Sequence, residues 1–265
     1  MRNLTISLLQ ADLHWQDPTQ NHVLFADLAT QIPAATQLLV LPEMFNTGFT
    51  MDTAAVAQSM DGPSIAWMCE LARRHEVTVT GSLVIAEEGR FFNRLIWMPP
   101  SGEVSSYDKR HLFRMAGEQE HFTAGESRQI FRLGDWRVCP LVCYDLRFPV
   151  WSRGVNEFDL LLYVANWPAA RRSAWQSLLP ARAVENLCYC AGLNRIGTDS
   201  KGIAYAGDSG AWDYLGKLMA EGGKKPGVIS IELDGASLSR YREKFPAHLD
   251  ADRFSLHRQA DNGEN

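Results

Sequence analysis

Short apolar runs alternate with amphipathic segments along most of the chain. Runs rich in Leu, Val, Ile and aromatic residues predict ten strands, because these side chains suit a pleated sheet. The predicted strands are Leu4 to Leu9, Leu38 to Leu41, Val77 to Ile85, Phe91 to Met98, Val104 to Tyr107, Arg137 to Val142, Leu160 to Val164, Leu187 to Asn194, Gly210 to Trp212 and Val228 to Leu233. Helical spacing and start signals predict five helices, at Gln20 to Ile32, Pro63 to His75, Phe148 to Val155, Ser173 to Asn186 and Ser237 to Phe245. This order of strands and helices indicates an α/β fold.

The central predicted strands are apolar on both faces, which is typical of sheets covered by helices. The stretch from Val77 to Met98 has the pattern of a hairpin and adds antiparallel strands. We therefore expect two sheets packed as a sandwich and flanked by helices. No linker or low-complexity stretch interrupts residues 1–265, so we expect one domain. We expect its last part, about 245–265, to be extended or partly disordered.

Composition and charge narrow the class of partner. The chain has 265 residues and a formal net charge of −5, so it lacks the general basic field that attracts nucleic acid. No apolar run approaches the roughly 20 residues that a transmembrane helix needs. We therefore expect neither nucleic acid nor membrane as a partner. The five cysteines are an odd, scattered set, which indicates reduced thiols and a cytoplasmic protein.

Three polar side chains stand where predicted strands end. These are Glu43, Lys109 and Cys143. Ligands of open α/β sheets bind beyond the carboxyl ends of the strands, so the three side chains are candidates for one pocket. Amide cleavage needs a nucleophile, a base and a positive donor for the oxyanion, and these residue types supply all three. We expect Lys109 to favour the thiolate of Cys143, and Glu43 to take the thiol proton and deliver it to the departing ammonia.

Three sequence blocks around these residues carry a family resemblance. They are Leu41 to Phe49 (LPEMFNTGF), Tyr107 to Phe113 (YDKRHLF) and Val142 to Pro149 (VCYDLRFP). In this order they resemble the signature blocks of the nitrilase, or carbon–nitrogen hydrolase, superfamily. Weaker matches at Ala181 to Asn186 and Gly207 to Gly210 extend the resemblance over nearly the whole chain. The chain looks most similar to the ω-amidase branch.

The resemblance implies a four-layer α-β-β-α sandwich, commonly paired into a dimer, and an enzyme without cofactor or metal. We therefore expect a homodimer that acts on a small-molecule amide. By the same resemblance Glu43 is the general base and Cys143 is the nucleophile. Lys109 and the backbone N–H of Tyr144 are the implied oxyanion donors.

The family also has a second glutamate before a glycine-containing turn. Glu118, seven positions before Gly125, matches this feature better than Glu120. Its implied role is to orient Lys109 or the substrate. The chain departs from the family pattern at Cys139 and Pro140, and a proline inside a strand predicts a local irregularity there.

The resemblance further implies hydrolysis of the terminal amide of a short 2-oxo acid, such as 2-oxoglutaramate or 2-oxosuccinamate. The products would be the dicarboxylate and ammonia, formed through a thioester. An N-carbamoyl compound, an aliphatic amide or a deaminated peptide is an alternative substrate for the same chemistry. A third hypothesis, from another class, is a non-catalytic binding protein that retains the fold.

Four further residues are candidates for the substrate pocket. Arg147 could bind a substrate carboxylate or could pair with a neighbouring acid such as Asp145. Asn166 and Trp167 follow the strand after Cys143, where the resemblance suggests a pocket wall, although an ordinary loop with a packed indole is equally consistent. Phe49 is a candidate of the same kind.

The sequence also allows two other arrangements besides Glu43, Lys109 and Cys143. Cys139, Cys143, Cys188 and Cys190 could form a zinc site, but C-x₃-C with C-x-C fits common zinc spacings poorly. His111 could form a Cys–His dyad as in papain-like hydrolases. We expect it instead to be a polar loop residue, because the family pattern already supplies a carboxylate as the base.

Overall fold

The computed structural model describes residues 1–252 and 254–256. The strands of these residues are β1 Leu4–Gln10, β2 Leu38–Val40, β3 Thr78–Glu87, β4 Arg90–Met98, β5 Ser105–Asp108, β6 Phe131–Leu133, β7 Trp136–Val142, β8 Leu160–Ala165, β9 Tyr189–Asn194, β10 Ile196–Thr198, β11 Ala204–Ala206, β12 Gly210–Trp212, β13 Leu218–Glu221 and β14 Gly227–Leu233. They form two six-stranded sheets and one small two-stranded sheet, β10-β11. The first large sheet has the order β14-β1-β2-β3-β4-β5, and the second has the order β13-β12-β9-β8-β7-β6.

Both large sheets have a parallel centre and antiparallel margins. In the first sheet β1, β2 and β3 are parallel, whereas β4, β5 and β14 join as antiparallel partners. In the second sheet β7, β8 and β9 are parallel, whereas β6, β12 and β13 are antiparallel. Parallel strands need crossover connections, and helices supply them in most α/β folds.

The helices are α1 Pro18–Ala29, α2 Thr53–Val56, α3 Pro63–His75, α4 Glu118–His121, α5 Pro149–Ser152, α6 Arg172–Asn186 and α7 Gly235–Lys244. Local sequence explains where several of them begin. Pro18 occupies the first turn of α1, and the Asp17 side chain caps that turn by accepting a hydrogen bond from the N–H of Gln20. Asp234 caps α7 in the same way through the N–H of Ser237.

Two apolar cores give the protein its layers. Alternate strand residues point to opposite faces of a sheet: Leu38 and Val40 of β2 join one core, and Leu39 joins the other. The first core lies between the sheets and continues into α6, whereas the second lies under α1 and α3. The order of layers is therefore helices, sheet, sheet, helix, which confirms the α-β-β-α sandwich.

The ten predicted strands and five predicted helices all have counterparts in the structure, with shifted ends in most cases. The prediction of a helix from Phe148 to Val155 was wrong in length, since α5 covers only Pro149–Ser152. Strands β6, β10, β11 and β13 and helices α2 and α4 were missed. Each has only three or four residues, which is too short for a periodic pattern.

The expected irregularity at Pro140 is absent from the pairing of β7 with β8, which runs without a shift from Val138 to Val142. The partner on the other side, β6, pairs with β7 only as far as Val138. Pro140 therefore lies where one side of β7 has no strand partner among the described residues. Such an edge tolerates proline, because the missing N–H is not needed there.

The C-terminal segment is described only in part. After α7, a 3₁₀ turn forms at Ala247–Leu249, and 254–256 are the last described residues. Residue 253 and residues 257–265 of the predicted tail lie outside the described residues. No helix in the described part of the chain combines the length and apolar character needed to cross a membrane.

The topology brings the predicted strand-end residues to one region. Because β4 is antiparallel to β3 and β5 is antiparallel to β4, β5 points in the same direction as β2. Glu43 and Lys109 therefore follow the same edge of the first sheet. Cys143 and Asn166 follow the parallel strands β7 and β8 of the second sheet.

Candidate active site

The backbone around Glu43 is attached firmly to strand β3. Met44 has a φ of +43°, a left-handed conformation that a non-glycine residue rarely adopts. Its N–H donates to Ser82 Oγ over 2.9 Å, and the N–H of Phe45 donates to the Ser82 carbonyl over 3.2 Å. These bonds support the turn and direct the Glu43 side chain into the interior, where it is fully buried.

Lys109 leaves strand β5 beside the same carboxylate. Its Nζ lies 2.8 Å from Glu43 Oε1 and 2.9 Å from each carboxylate oxygen of Glu118. The side chain is only 1% exposed. A buried ammonium is tolerated when it is paired and hydrogen-bonded, and here two carboxylates meet it.

Glu118 is held by its own loop as well. It begins the short helix α4 and is completely buried, whereas Glu120 two residues later is exposed. Glu118 Oε2 accepts a 2.6 Å hydrogen bond from the N–H of Phe113. Of the two glutamates that the sequence left open, the structure places Glu118 against Lys109.

Cys143 occupies a sharp turn between β7 and the following 3₁₀ segment, Cys143–Arg147. Its φ is +45°, and such strain is often found at functional sites. The first N–H groups of a helical turn have no partner inside that turn, so the N–H of Tyr144 is free of intrahelical bonding. Cys143 and Tyr144 both line one cavity.

Electrostatics decide the resting state of the thiol. Burial raises the pKa of Cys143 well above its ordinary value, and the negative charge of Glu43 raises it further. Lys109 acts in the opposite direction but is outweighed. Lys109 by itself therefore favours the thiolate, as the sequence predicted, but burial and the charges of the two acids keep the thiol neutral in the resting site.

The same cluster of charges shifts the pKa of Lys109 and of Glu118. The two carboxylates raise the pKa of Lys109 above its usual range despite the burial of this side chain, so the ammonium form persists. Burial, reinforced by the nearby charge of Glu43, raises the pKa of Glu118, although Lys109 opposes this.

Asp145 ties the cysteine turn to the loop that carries Lys109. Its Oδ2 accepts hydrogen bonds from the Tyr107 hydroxyl (2.8 Å) and the N–H of Val142 (3.0 Å). Its Oδ1 accepts from the N–H of His111 (3.0 Å) and lies 2.8 Å from His111 Nδ1. His111 is therefore engaged by Asp145, and its ring stacks on Phe148 at 3.7 Å between centroids.

Asn166 and Trp167 follow β8 and continue this wall. The N–H of Asn166 donates to Glu43 Oε2 over 2.9 Å, and its Nδ2 donates to the Glu43 carbonyl over 2.6 Å. Asn166 Oδ1 has no hydrogen-bond partner among the described residues. The backbone N–H of Trp167 is held by Asn194 Oδ1 at 2.7 Å.

A cavity of about 550 Å³ opens above the cysteine. Its lining includes all four sequence-predicted pocket residues, Phe49, Arg147, Asn166 and Trp167, together with Lys109, Cys143, Tyr144, Arg171, Asp199, Lys201 and Tyr205. The Phe49 ring lies 5.2 Å from Lys109 Nζ. The Arg147 guanidinium lies 5.3 Å from the centroid of the Trp167 ring. Asp145 bonds Tyr107 and His111, so the alternative pairing of Arg147 with Asp145 is not observed.

Sequence reasoning missed several residues of the site. Asn93 contacts the acid cluster and Ser82 contacts Asn93, whereas the β10-β11 hairpin contributes Asp199, Lys201 and Tyr205 to the cavity lining. A polar residue inside a strand whose neighbours are mostly apolar was the available signal for Asn93 and Ser82. The hairpin gave no comparable signal, because its strands have three residues each.

Comparison with known proteins agrees with this geometry. The family model described as carbon-nitrogen hydrolase matches residues 5–243. The chain is 46% identical over 257 residues to the omega-amidase YafV of Escherichia coli K12, covering 97% of this chain and 100% of that one. It is 32% identical to the 2-oxoglutaramate amidase of Bacillus subtilis, covering 93% of this chain and 96% of that one.

A solved structure is similar over the same extent. XC1258 from Xanthomonas campestris, described as a CN-hydrolase superfamily protein with an arsenic adduct in its active site, superposes with a TM-score of 0.94. The two sequences are 42% identical, and the match covers 97% of this chain and 100% of that one. The chain belongs to the carbon-nitrogen hydrolase family and is a hydrolase of amide carbon–nitrogen bonds.

Proposed function

We propose that this hydrolase is an ω-amidase, which converts the terminal amide of a short 2-oxo acid to the dicarboxylate and ammonia. The substrates we propose are 2-oxoglutaramate and 2-oxosuccinamate. The observation that carries the proposal is the arrangement of the cavity, with Cys143 beside the buried acid–ammonium cluster and Arg147 exposed in the lining. The names of the relatives in Escherichia coli and Bacillus subtilis support the same substrate class.

In the proposed reaction Cys143 Sγ attacks the amide carbonyl while Glu43 accepts the thiol proton. Lys109 and the N–H of Tyr144 stabilise the oxyanion that forms. The carbon–nitrogen bond then breaks, the proton held by Glu43 leaves with ammonia, and a thioester remains. Glu43 next takes a proton from water, the resulting hydroxide attacks the thioester, and the carboxylic acid departs as Cys143 regains its proton.

The raised pKa of Cys143 fits proton transfer during attack rather than a stored thiolate. The free site holds a neutral thiol, and Glu43 lies near enough for its charge to raise the pKa of that thiol. Both carboxylate oxygens of Glu118 accept hydrogen bonds from Lys109 Nζ. Its role in the proposal is to orient the ammonium while Glu43 exchanges protons.

The opposite end of the substrate would meet the cavity wall. Arg147 offers a guanidinium for the distal carboxylate, since planar two-point binding of carboxylates is typical of arginine. Phe49 and Trp167 supply apolar walls between that end and the cysteine. The unpartnered Oδ1 of Asn166 is an acceptor for an N–H of the substrate amide.

Ammonia release from 2-oxoglutaramate tests the proposal directly. We expect turnover by the wild-type protein and none by Cys143→Ala. Side-by-side assays with an N-carbamoyl compound, an aliphatic amide and a deaminated peptide separate the substrate classes. Activity on 2-oxoglutaramate no better than that of Cys143→Ala would refute the substrate assignment.

A mass measurement separates an enzyme from a binding protein. Intact protein quenched during turnover should carry an acyl group, and peptide mapping should place it on Cys143. Substrate binding without any adduct, together with no ammonia release, would favour a non-catalytic protein.

We also propose that residues 1–265 form one domain that assembles as a homodimer in the cytoplasm. One core cluster joins strands of both sheets, which supports a single folding unit. Exposed apolar side chains on α6 and near the C-terminus, such as Val184 and Phe245, support burial against a second copy. The five free cysteines fit a reducing compartment. Sedimentation equilibrium gives the mass of the assembly, and a monomer at micromolar concentration would contradict the dimer.

A further inference from the structure

Asn93 is a buried amide placed between the two acids of the site. Its Nδ2 donates to Glu43 Oε1 over 2.9 Å and to Glu118 Oε1 over 3.2 Å. The side chain is fully buried in strand β4. Asn93 thus contacts the same two carboxylates as Lys109, but it carries no charge.

Ser82 determines which way this amide points. Ser82 Oγ accepts a hydrogen bond from the N–H of Met44 over 2.9 Å and donates to Asn93 Oδ1 over 2.7 Å. With the amide oxygen held by a donor, the amide nitrogen must face the carboxylates. Because the N–H of Met44 donates to the Ser82 hydroxyl, that hydroxyl is free to donate to Asn93, and the amide nitrogen of Asn93 is left to donate to the carboxylates.

The backbones of Ser82 and Asn93 are connected to the same loops as their side chains. The Asn93 carbonyl accepts from the N–H of Lys109 over 3.0 Å. The Ser82 carbonyl accepts from the N–H of Phe45 over 3.2 Å. Both residues lie on the regular hairpin β3-β4, so a rigid element carries the contacts to Glu43 and Lys109.

The charges around Glu43 show why a neutral donor matters. Glu43 faces Lys109 after β5, Glu118 of α4 and the thiol of Cys143 after β7, and its charge also reaches Tyr205 of β11. A hydrogen bond donated to a carboxylate favours its charged form. An amide gives that bond without adding a group that titrates.

We propose that Asn93 is a positioning residue that holds the Glu43 carboxylate in the orientation that accepts the cysteine proton, and that Ser82 sets the orientation of Asn93. The inference rests on the role of Glu43 as general base in the proposed function. It assigns to the β3-β4 hairpin a part in the reaction that lies outside the Glu43, Lys109 and Cys143 triad.

The pH dependence of kcat/KM tests the proposal with Asn93→Leu, which has nearly the same shape and no donor. Asn93→Leu removes a hydrogen bond of the kind that favours a charged carboxylate, and only a charged carboxylate accepts the thiol proton. The acidic limb of the profile should therefore move to higher pH, by about one unit. Ser82→Ala should move it by less in the same direction, because Asn93 stays but is no longer oriented. If Asn93→Leu fails to fold, the smaller Ser82→Ala change still tests the proposal.

Thr80→Val is the matched control. Thr80 lies two residues before Ser82 on β3, is equally buried, and its hydroxyl donates to the Ile96 carbonyl over 2.8 Å. The change removes a buried hydroxyl from the same strand without touching either carboxylate, so the acidic limb should stay in place. An unshifted limb in both Asn93→Leu and Ser82→Ala, even with a lower kcat, would overturn the proposal and leave the two residues with a purely structural role.

Infrared difference spectroscopy measures the same protonation without any substrate. The band of a protonated carboxyl should appear at higher pH in Asn93→Leu than in the wild type, and it should vanish when Glu43→Gln is added. This result is independent of which amide is hydrolysed, so it stands even if 2-oxoglutaramate is not a substrate. A band that titrates at the same pH in both proteins would contradict the proposal.

Discussion

The inner end of the cavity and its mouth differ in the burial of their charged side chains. At the inner end Lys109 is nearly fully buried and lies within hydrogen-bond distance of Glu43 and Glu118. At the mouth Arg147 and Lys201 are exposed to solvent. A change at the inner end leaves a buried charge without its partner, whereas a change at the mouth is compensated by water. The structure therefore separates the residues proposed for bond cleavage from those proposed for substrate choice.

Lys109→Met is the substitution that should affect the inner end most. It removes the proposed oxyanion donor and leaves two carboxylates close together, so one of them tends to bind a proton. We expect kcat/KM to fall by about 10²–10³-fold on every amide substrate. Steady-state kinetics with 2-oxoglutaramate and with an aliphatic amide would measure the loss.

Lys201→Met is the control at the mouth, because it removes an ammonium from the same cavity without touching the acids. It should leave turnover of an uncharged amide unchanged. Equal losses in Lys109→Met and Lys201→Met would show that both lysines act only through the general charge of the cavity. Circular dichroism would verify that both variants are folded.

Glu118→Gln should have the next largest effect. The change keeps the shape of the side chain but exchanges a charged acceptor of Lys109 for a neutral amide. We expect kcat to fall by about 10²-fold, since two charge-assisted hydrogen bonds are weakened or lost. Glu120→Gln, on the exposed side of the same short helix, should leave kcat and KM unchanged. A similar loss in both variants would refute the assignment of Glu118 as the second acid.

The inner end was the part of the site that the sequence predicted best. The resemblance of three sequence blocks to the family identified Glu43, Lys109 and Cys143, and the packing of the two sheets against each other brings the ends of β2, β5 and β7 together. Asn93 was not predicted, because its contacts with Glu43 and Glu118 span 50 and 25 positions along the chain. Such contacts depend on the register of β3 against β4, which periodicity does not reveal.

The mouth was predicted less completely for a related reason. Arg147, Trp167 and Phe49 follow or belong to recognisable sequence blocks, whereas Lys201 and Tyr205 lie on or beside the short β10-β11 hairpin. That hairpin has too few residues for a periodic signal. The charge state of Cys143 was also beyond the sequence, because it depends on how deeply the thiol and Glu43 are buried together.

Arg147→Gln should change substrate choice more than bond cleavage. If the guanidinium binds the distal carboxylate, its loss should lower kcat/KM by about tenfold for 2-oxoglutaramate. An uncharged aliphatic amide should be hydrolysed at the wild-type rate. A kinetic comparison of the two substrates gives the ratio directly. Equal losses on both would place Arg147 in the support of the cysteine turn and not in carboxylate recognition.

Glu43→Gln should separate the reactivity of the thiol from catalysis. Alkylation of Cys143 should become modestly faster, whereas amide hydrolysis should stop. Glu43 raises the pKa of Cys143, so its neutral replacement should lower that pKa and increase the thiolate fraction at neutral pH. A shift of one unit gives about tenfold more thiolate, but a less basic thiolate is a weaker nucleophile, so alkylation by iodoacetamide should accelerate about threefold. Amide hydrolysis should be lost, since no base remains. The rate constant is measured by mass spectrometry of the Cys143 peptide, with Cys143→Ala reporting the background from the other thiols. Slower alkylation in Glu43→Gln would mean that Glu43 promotes the thiolate already in the resting site, and that the inner end stores an ion pair instead of a neutral thiol beside its base.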